Sequence, residues 1–277
     1  MRLLGDLRAR ARELGRAVGD GMIDSGQAAV YLRQLLRGNR AQPSIADVKI
    51  ELSPERPPVL LLHGYLANRG SVHLLERRLT DRNHVVMTYR LGPLQLGDVR
   101  ETANLIVQKV DSLIAQTGVQ QVDIIAHSMG GLVALDYVKR RGGAPRVRRL
   151  VLLGTPVRGT WSAMLGLPTA PLGRASLQLL PSSAFLRELR DSPMPKGPEV
   201  VAVAGARDWL APPRTTRMQG IRHVTVPAGH SGLLVDEGVA AMLADFLEEK
   251  PISGTAGPAP QAGGSDPPDV PPDPANV

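Results

Sequence analysis

Apolar and polar positions alternate along residues 46–250 in a way that predicts strands and helices in turn. Strand-like apolar runs occupy residues 47–52, 58–63, 84–89, 122–126, 149–154, 200–205 and 223–227. The run over 58–63 is apolar up to its final histidine, as expected of a strand covered on both faces. Helical spacing of apolar residues follows in 98–116, 129–141 and 239–249. This alternation predicts an α/β fold with a mostly parallel central sheet, helices on both faces and right-handed crossovers.

The two ends of the chain lack this pattern. Residues 1–45 are rich in arginine and are predicted to be a helical extension. Apolar residues recur at helical spacing in two places: Leu3, Leu7, Leu14 and Val18, and then Tyr31, Leu32, Leu35 and Leu36. Residues 251–277 contain eight Pro and four Gly and have almost nothing to bury, so we expect a disordered tail. The middle of the chain, 46–250, is then predicted to be one domain.

One segment within the middle domain, 155–199, breaks the rhythm. It contains seven prolines and no clean strand pattern. A connection of this length is usually functional or disordered. Because it is rich in apolar residues, including Trp161, Met164 and Leu165, we expect an ordered cap. These side chains either line a substrate pocket or only pack the cap onto the sheet.

Composition and charge exclude some function classes. The chain has no cysteine, which excludes disulfides, thiolate metal sites and a cysteine nucleophile. Its eight aromatic residues are too few to suggest a stacking platform for single-stranded nucleic acid. The net charge of +7 includes +4 from residues 1–40, and the rest forms no long basic run. Charge therefore identifies no partner, and we expect no nucleic-acid binding.

The expected location is cytoplasmic. No run reaches the roughly 18 apolar residues of a membrane span, and the first residues lack the apolar core of a secretory signal. The first predicted helix places an apolar stripe beside Arg8, Arg10, Arg12 and Arg16. That stripe either contacts an anionic membrane through residues 1–20 or packs on the middle domain.

The sharpest local signal is the sequence Ala-His-Ser-Met-Gly-Gly at 126–131, between a predicted strand and a predicted helix. A serine at such a sharp turn is presented clear of the sheet, provided that small residues let strand and helix approach each other. Ala126 and Gly130 meet that requirement. The string alone also occurs by chance, but the strand before it and the helix after it favour Ser128 as a nucleophile.

A serine hydroxyl needs a general base and an acid that orients it. His230 lies in a glycine-flanked loop after the last predicted strand, where a parallel sheet presents catalytic groups. Asp208 follows the strand before it, so the order Ser128, Asp208, His230 matches the order that accompanies a nucleophile elbow. Asp236 and Asp191 remain alternatives for the acid.

Acyl transfer also requires hydrogen-bond donors for the oxyanion. One candidate is the backbone N–H of Met129, directly after the serine. The other is the backbone N–H of Tyr65, which follows His63 and Gly64 at the end of a predicted strand. Because Tyr65 and Trp209 lie beside these predicted site elements, we expect both side chains to contact substrate.

These segments resemble the α/β-hydrolase superfamily, and within it the small bacterial lipases and esterases. The resemblance covers roughly residues 56–249 and is carried by 59–64, 122–131, 152–156 with 158–160, and Asp208 with His230. Val157 departs from it, since a histidine often follows the proline there. The resemblance implies an α/β-hydrolase fold, a triad of Ser128, His230 and Asp208, and a cap over an acyl pocket. It also implies chemistry without a metal or organic cofactor.

The expected function is hydrolysis of carboxylic esters through an acyl-enzyme intermediate, as in a lipase or carboxylesterase. A thioesterase, a lactonase or a phospholipid deacylase on the same fold is the main alternative. A non-catalytic binding protein on a hydrolase scaffold is a third possibility, against which the complete set of triad residues argues.

Overall fold

The computed structural model describes residues 25–38, 56–89, 91, 95–249 and 255–256. The first predicted helix, the predicted strand over 47–52 and most of the predicted disordered tail lie outside the described residues.

A seven-stranded sheet forms the centre of the part of the chain that the structure describes. The strands are β1 (Val59–Leu62), β2 (Val86–Thr88), β3 (Val122–His127), β4 (Val147–Leu153), β5 (Glu199–Gly205), β6 (Arg222–Val226) and β7 (Thr255–Ala256). Their order is β2-β1-β3-β4-β5-β6-β7. The first six are parallel to one another, and each corresponds to a predicted apolar run. The predicted parallel sheet is therefore confirmed.

The short strand β7 lies within the segment for which composition predicts a disordered tail. It pairs antiparallel with β6, the last of the parallel strands, with Ala256 opposite Val224 and Thr255 opposite Thr225. The residues between Pro251 and Pro258 include no proline, so their backbone N–H groups remain able to join the sheet. Residues 257–277 lie outside the described part of the chain.

The described helices are α1 (Ser25–Leu36), α2 (His73–Thr80), α3 (Val99–Thr117), α4 (Met129–Arg140), α5 (Ala175–Gln178), α6 (Ala184–Asp191), α7 (Gly232–Val235) and α8 (Glu237–Leu247). The long helix α3 begins after Asp98, whose side chain accepts a hydrogen bond from the Arg100 N–H, and ends at Gly118 with φ 73°. Within the described residues, no helix is both long and apolar enough to cross a membrane.

Helices cover both faces of the sheet because neighbouring strand residues point to opposite sides. Leu60 and Ile124 belong to the apolar cluster that includes α3 and α4. Leu61 and Ile125 belong to the cluster on the other face, together with residues of α2 and α8. This double burial accounts for the nearly continuous apolar runs of the central strands.

The segment between β4 and β5 is ordered into a 3₁₀ stretch (Trp161–Leu172), α5 and α6. Helix α6 packs on the same sheet face as α3 and α4, with Phe185, Leu186 and Leu189 buried there. The sequence predicts a cap over the whole segment, and within it α6 contributes to the helical layer on this face of the sheet. The 3₁₀ stretch is the part that reaches the candidate site described below.

Helix α1 packs against the 3₁₀ turn Arg69–Val72 and against α7. The Asn68 side-chain amide donates to the Leu35 carbonyl oxygen at 3.0 Å, and the Gln27 amide donates to Asp236 Oδ2 at 3.1 Å. A methyl group at Gly70 would collide with the Gln34 carbonyl oxygen. The end of the N-terminal extension is thus fitted closely to the sheet domain, beside the carboxyl ends of the strands.

Candidate active site

Ser128 lies at the junction of β3 and α4 in a strained backbone conformation, with φ 55° and ψ −127°. A non-glycine residue with positive φ is uncommon and costs about 1–3 kcal/mol. The strain is held by the adjacent strand β4, because the Ser128 N–H donates to the Leu153 carbonyl oxygen at 2.8 Å. Its side chain lines a cavity of about 360 Å³. This is the geometry that the strand–serine–helix pattern predicts.

Glycines around Ser128 allow the start of α4, the loop after β1 and the loop after β4 to approach one another closely. A Cβ at Gly130 would lie 2.7 Å from the His63 carbonyl oxygen, and one at Gly64 would lie 2.8 Å from the Ser128 Cβ. A Cβ at Gly131 would collide with the Thr155 side chain. The sequence predicted this requirement at Gly130. The equivalent requirement at Gly64 and Gly131 depends on contacts between distant segments.

His230 and Asp208 form a hydrogen-bonded pair beside the same cavity. His230 Nδ1 donates to Asp208 Oδ2 at 2.7 Å, and the Ala211 N–H donates to Asp208 Oδ1 at 2.7 Å. Asp208 is buried, and His230 lines the cavity with Ser128. A Cβ at Gly154 would lie 3.2 Å from Asp208 Oδ2, so glycine there leaves room for the pair.

Asp236 and Asp191, the alternative candidates for the acid, form other contacts or lie in other elements. Asp236 precedes α8, where its Oδ1 accepts a hydrogen bond from the Val239 N–H at 3.0 Å. Asp191 is the last residue of α6. Of the three candidates, the structure therefore brings Asp208 to His230.

The oxyanion candidates lie on two loops that meet at Ser128. Met129 is the first residue of α4, so its N–H belongs to the helix terminus that lacks intrahelical acceptors. Tyr65 follows Gly64, which packs against Ser128. The Tyr65 side chain lines the cavity, and its hydroxyl donates to the Gly166 carbonyl oxygen at 3.2 Å.

Three of the residues expected to bind substrate do not line this cavity. Trp161, Met164 and Trp209 are 42%, 51% and 54% exposed, and none of them is among its lining residues. A contact of these three side chains with substrate therefore stays a prediction. The side chain of Leu165 lies outside the described residues.

The difference concerns which positions of this segment face the cavity. Thr160, Ser162, Ala163 and Gly166 line it, whereas Trp161 and Met164 are exposed. Trp209 is exposed in the turn that places its neighbour Leu210 in the cavity wall. The apolar composition of the segment does not indicate which of its positions face the cavity.

Helix α1 contributes a cavity wall that the sequence did not identify. Tyr31 and Leu35 line the cavity and are four residues apart, so they share one face of the helix. The Tyr31 hydroxyl forms a hydrogen bond with Ser71, while burial raises the Tyr31 pKa. Both residues belong to the apolar spacing recognised in the sequence, but that spacing does not say which element the helix packs against.

Two buried histidines frame the site without titrating near neutral pH. Burial lowers the pKa of His63 to about 4 and that of His127 well below its usual value. His127 Nε2 donates to the His230 carbonyl oxygen at 3.1 Å, and the two rings lie 4.5 Å apart. His127 therefore supports the loop that carries His230.

The lowered pKa of His63 predicts an acid-sensitive fold. The unfolded chain takes up a proton at this imidazole near pH 6.5, whereas the folded protein keeps it neutral down to pH of about 4. Between these values the unfolded state binds more protons, so the free energy of unfolding falls as pH decreases. We expect His63 to account for about 2–3 kcal/mol of this loss between pH 7 and 4.5.

Urea unfolding at both pH values measures this effect in wild type and in His63→Gln, which does not titrate. The pH-dependent loss should be smaller in the variant by the stated amount. His73→Gln is the control, because His73 is 44% exposed. An equal loss in wild type and His63→Gln would contradict the prediction.

Within the described residues, no group of three or more His, Cys, Asp or Glu side chains is arranged to hold a metal ion. The cavity wall itself includes no Asp, Glu, Lys or Arg side chain among the described residues.

Comparison with known proteins gives one family and several similar structures. A family model described as "Alpha/beta hydrolase family" matches residues 59–271. Mature Bacillus licheniformis lipase BlEst2 superposes with a TM-score of 0.60 at 15% identity, covering 70% of this chain and 93% of that chain. Aspergillus fumigatus lipase B has a TM-score of 0.63 at 16% identity, covering 75% and 56%.

Phospholipase PlaB from Legionella pneumophila is also similar, with a TM-score of 0.58 at 15% identity over 70% of this chain and 60% of that chain. At such identities the structural likeness concerns the fold alone. Helix α1, which forms part of the cavity wall, precedes the region matched by the family model.

Proposed function

Because the chain belongs to the alpha/beta hydrolase family, we propose that it cleaves carboxylic esters with Ser128 as its nucleophile. One observation carries this proposal: His230, which is hydrogen-bonded to the buried Asp208 at 2.7 Å, lines the same cavity as the strained Ser128. The three residues come from the ends of β3, β5 and β6. A base, its orienting acid and a nucleophile at one opening form the arrangement that acyl transfer requires.

The proposed reaction proceeds in two steps. His230 takes the proton of Ser128 as the serine oxygen attacks the ester carbonyl carbon, and Asp208 orients and stabilises the protonated imidazole. The N–H groups of Met129 and Tyr65 donate to the oxyanion of the tetrahedral intermediate. When the intermediate collapses, His230 passes its proton to the leaving alcohol. Water, deprotonated by the same histidine, then releases the acid and restores the serine.

The cavity wall favours a neutral ester with an apolar acyl group. A volume of about 360 Å³ falls within the range of small-molecule sites. Leu35, Leu179 and Leu210 are among its apolar lining residues, and no charged side chain lines it within the described part of the chain. A phosphate or carboxylate in this wall would lack a cationic partner, at a cost of several kcal/mol. This argues for an esterase or lipase over a phospholipid deacylase.

We also propose that the 3₁₀ stretch Trp161–Leu172 serves as the cap expected for segment 155–199. Thr160, Ala163 and Gly166 line the cavity, and the Tyr65 hydroxyl donates to the Gly166 carbonyl oxygen. A Cβ at Gly166 would lie 2.5 Å from that hydroxyl. The stretch therefore lies against the loop that carries one oxyanion donor.

A panel of 4-nitrophenyl esters tests the substrate class. We expect kcat/KM to rise from acetate to octanoate by roughly 10- to 100-fold, because only part of the added chain is buried: six fully buried methylenes at about 0.8 kcal/mol each would give roughly 3,000-fold. The matched control is the monoester of octanedioate, which has the same length and ends in a carboxylate. It should be hydrolysed at least about 100-fold more slowly than octanoate.

Other outcomes assign other functions. Preference for acetate over octanoate would contradict an acyl pocket, and equal turnover of the octanedioate monoester would contradict the apolar wall. A preferred acyl thioester or phospholipid would indicate a thioesterase or a phospholipid deacylase. A protein that hydrolyses none of these and does not react with a fluorophosphonate probe would be a binding protein on this fold.

A further inference from the structure

Gln95 has no part in the mechanism above, although its surroundings are unusual. It lies between β2 and α3, is fully buried and has φ 50°. A glutamine in this conformation is unfavourable and persists only where the surrounding structure holds it. The next residue is held by the segment between β4 and β5, because the Ala175 N–H donates to the Leu96 carbonyl oxygen at 3.2 Å.

The side-chain amide of Gln95 faces the loop after β1. With the amide oriented to satisfy its neighbours, its nitrogen donates to the carbonyl oxygens of His63 at 2.6 Å and of Gly64 at 3.2 Å. The same nitrogen lies 2.9 Å from His63 Nδ1. These three atoms all belong to the two residues that precede Tyr65, and His63 Nδ1 itself lies 3.2 Å from the Gly64 carbonyl oxygen.

The bond to Gly64 matters because of the planarity of the peptide group. The Gly64 carbonyl and the Tyr65 N–H belong to one peptide unit, and in a trans peptide they point in opposite directions. Fixing the oxygen on one side therefore fixes the direction of the N–H on the other. Gly64 has little conformational preference of its own, so this peptide plane depends on external hydrogen bonds.

We propose that Gln95 is a positioning residue for the oxyanion site: its amide holds the Gly64–Tyr65 peptide so that the Tyr65 N–H faces the reacting carbonyl oxygen. The inference rests on the proposed function, since it requires Tyr65 to be an oxyanion donor. Gln95 lies in the connection between β2 and α3 and does not line the cavity. The inference therefore adds a residue without substrate contact to the residues that determine the rate.

The test is Gln95→Met, which keeps the side-chain length and removes both donors. We expect the saturating rate of acylation by 4-nitrophenyl octanoate to fall about 10- to 100-fold, somewhat less than the loss of a whole oxyanion donor. The half-saturation concentration should change less than about threefold, because the direction of the Tyr65 N–H affects mainly the stability of the transition state. The affinity for octylboronic acid should fall by the same factor as the rate, since its tetrahedral adduct places an oxygen at the oxyanion position.

Gln178→Met is the matched control. The Gln178 side-chain oxygen accepts a hydrogen bond from the Val99 N–H at 2.8 Å, so this variant also loses a structural hydrogen bond near the same connection. Its acylation rate should equal that of wild type. A wild-type rate in Gln95→Met, or an equal loss in both variants, would overturn the inference.

A measurement on wild type covers the case in which Gln95→Met fails to fold. Its side-chain amide protons should exchange with solvent at least about 100-fold more slowly than those of the exposed Gln120, and their NMR signals should shift when the boronate adduct forms. Fast exchange would overturn the inference. A wild-type protein that neither hydrolyses the ester nor reacts with a fluorophosphonate would instead contradict the proposed function, so the two failures are distinguishable.

Discussion

Ser128→Ala is expected to lower kcat/KM for the best ester by a factor on the order of 10⁵ while leaving the fold intact. The variant removes the atom that attacks the carbonyl and leaves only binding and oxyanion stabilisation, which sustain a small residual rate. Alanine keeps the Cβ at this position, and the strained backbone is held by the Leu153 carbonyl oxygen rather than by the hydroxyl. Hydrolysis rates and loss of fluorophosphonate labelling measure the effect.

Two other serines of the same cavity provide controls. Ser162 and Ser231 both line it, and the Ser162 hydroxyl donates to the Leu210 carbonyl oxygen at 2.9 Å. Ser162→Ala and Ser231→Ala should retain kcat/KM within about fivefold, since surface-lining hydroxyls contribute about 1 kcal/mol or less. Labelling that persists in Ser128→Ala and is lost in Ser231→Ala would assign the nucleophile to Ser231.

The sheet could be predicted from sequence because its central strands are buried on both faces. In β1, Leu60 and Leu61 point to opposite sides and both are fully buried, which gives an uninterrupted apolar run of the right length. Strand β7 could not be predicted in this way. It has two residues, and it forms by pairing with the distant strand β6.

The positions of the candidate site residues were predictable because each follows a strand. Ser128 comes after β3, Asp208 after β5 and His230 after β6, and the carboxyl ends of parallel strands meet at one edge of the sheet. The distinction between Asp208 and Asp236 was harder, since both lie near His230 in sequence. It depends on the turn in which the Ala211 N–H holds one Asp208 oxygen and leaves the other for the histidine.

The cavity wall was the least predictable part. Tyr31 lies 97 residues before Ser128 in the numbering of the chain, and its place in the wall follows from α1 packing on the turn Arg69–Val72. In the segment after β4, Ala163 lines the cavity whereas Met164 is exposed. Both facts depend on tertiary contacts that neither composition nor local spacing contains. Sequence patterns thus locate groups at strand ends better than they locate the walls around them.

Asp208→Asn is expected to lower kcat by about 10³- to 10⁴-fold with little change in KM. In wild type, one carboxylate oxygen accepts from the Ala211 N–H and the other from His230 Nδ1. Asparagine has one oxygen for these two donors. If that oxygen accepts the hydrogen bond from the Ala211 N–H, the asparagine NH₂ group faces His230 Nδ1 and favours the tautomer with the proton on Nε2. That tautomer is unable to accept the Ser128 proton, and the imidazolium formed during the reaction also loses its counter-charge.

Asp236→Asn is the matched control, because it makes the same chemical change beside the same loop. Asparagine is as good as aspartate at the start of a helix, so the variant keeps the bond that Asp236 Oδ1 accepts from the Val239 N–H. We expect its kcat to stay within about threefold of wild type. A large loss in Asp236→Asn together with a small one in Asp208→Asn would exchange the two assignments. Because Asp208 accepts two hydrogen bonds and is almost completely buried, thermal melting of both variants separates a loss of rate from a loss of fold.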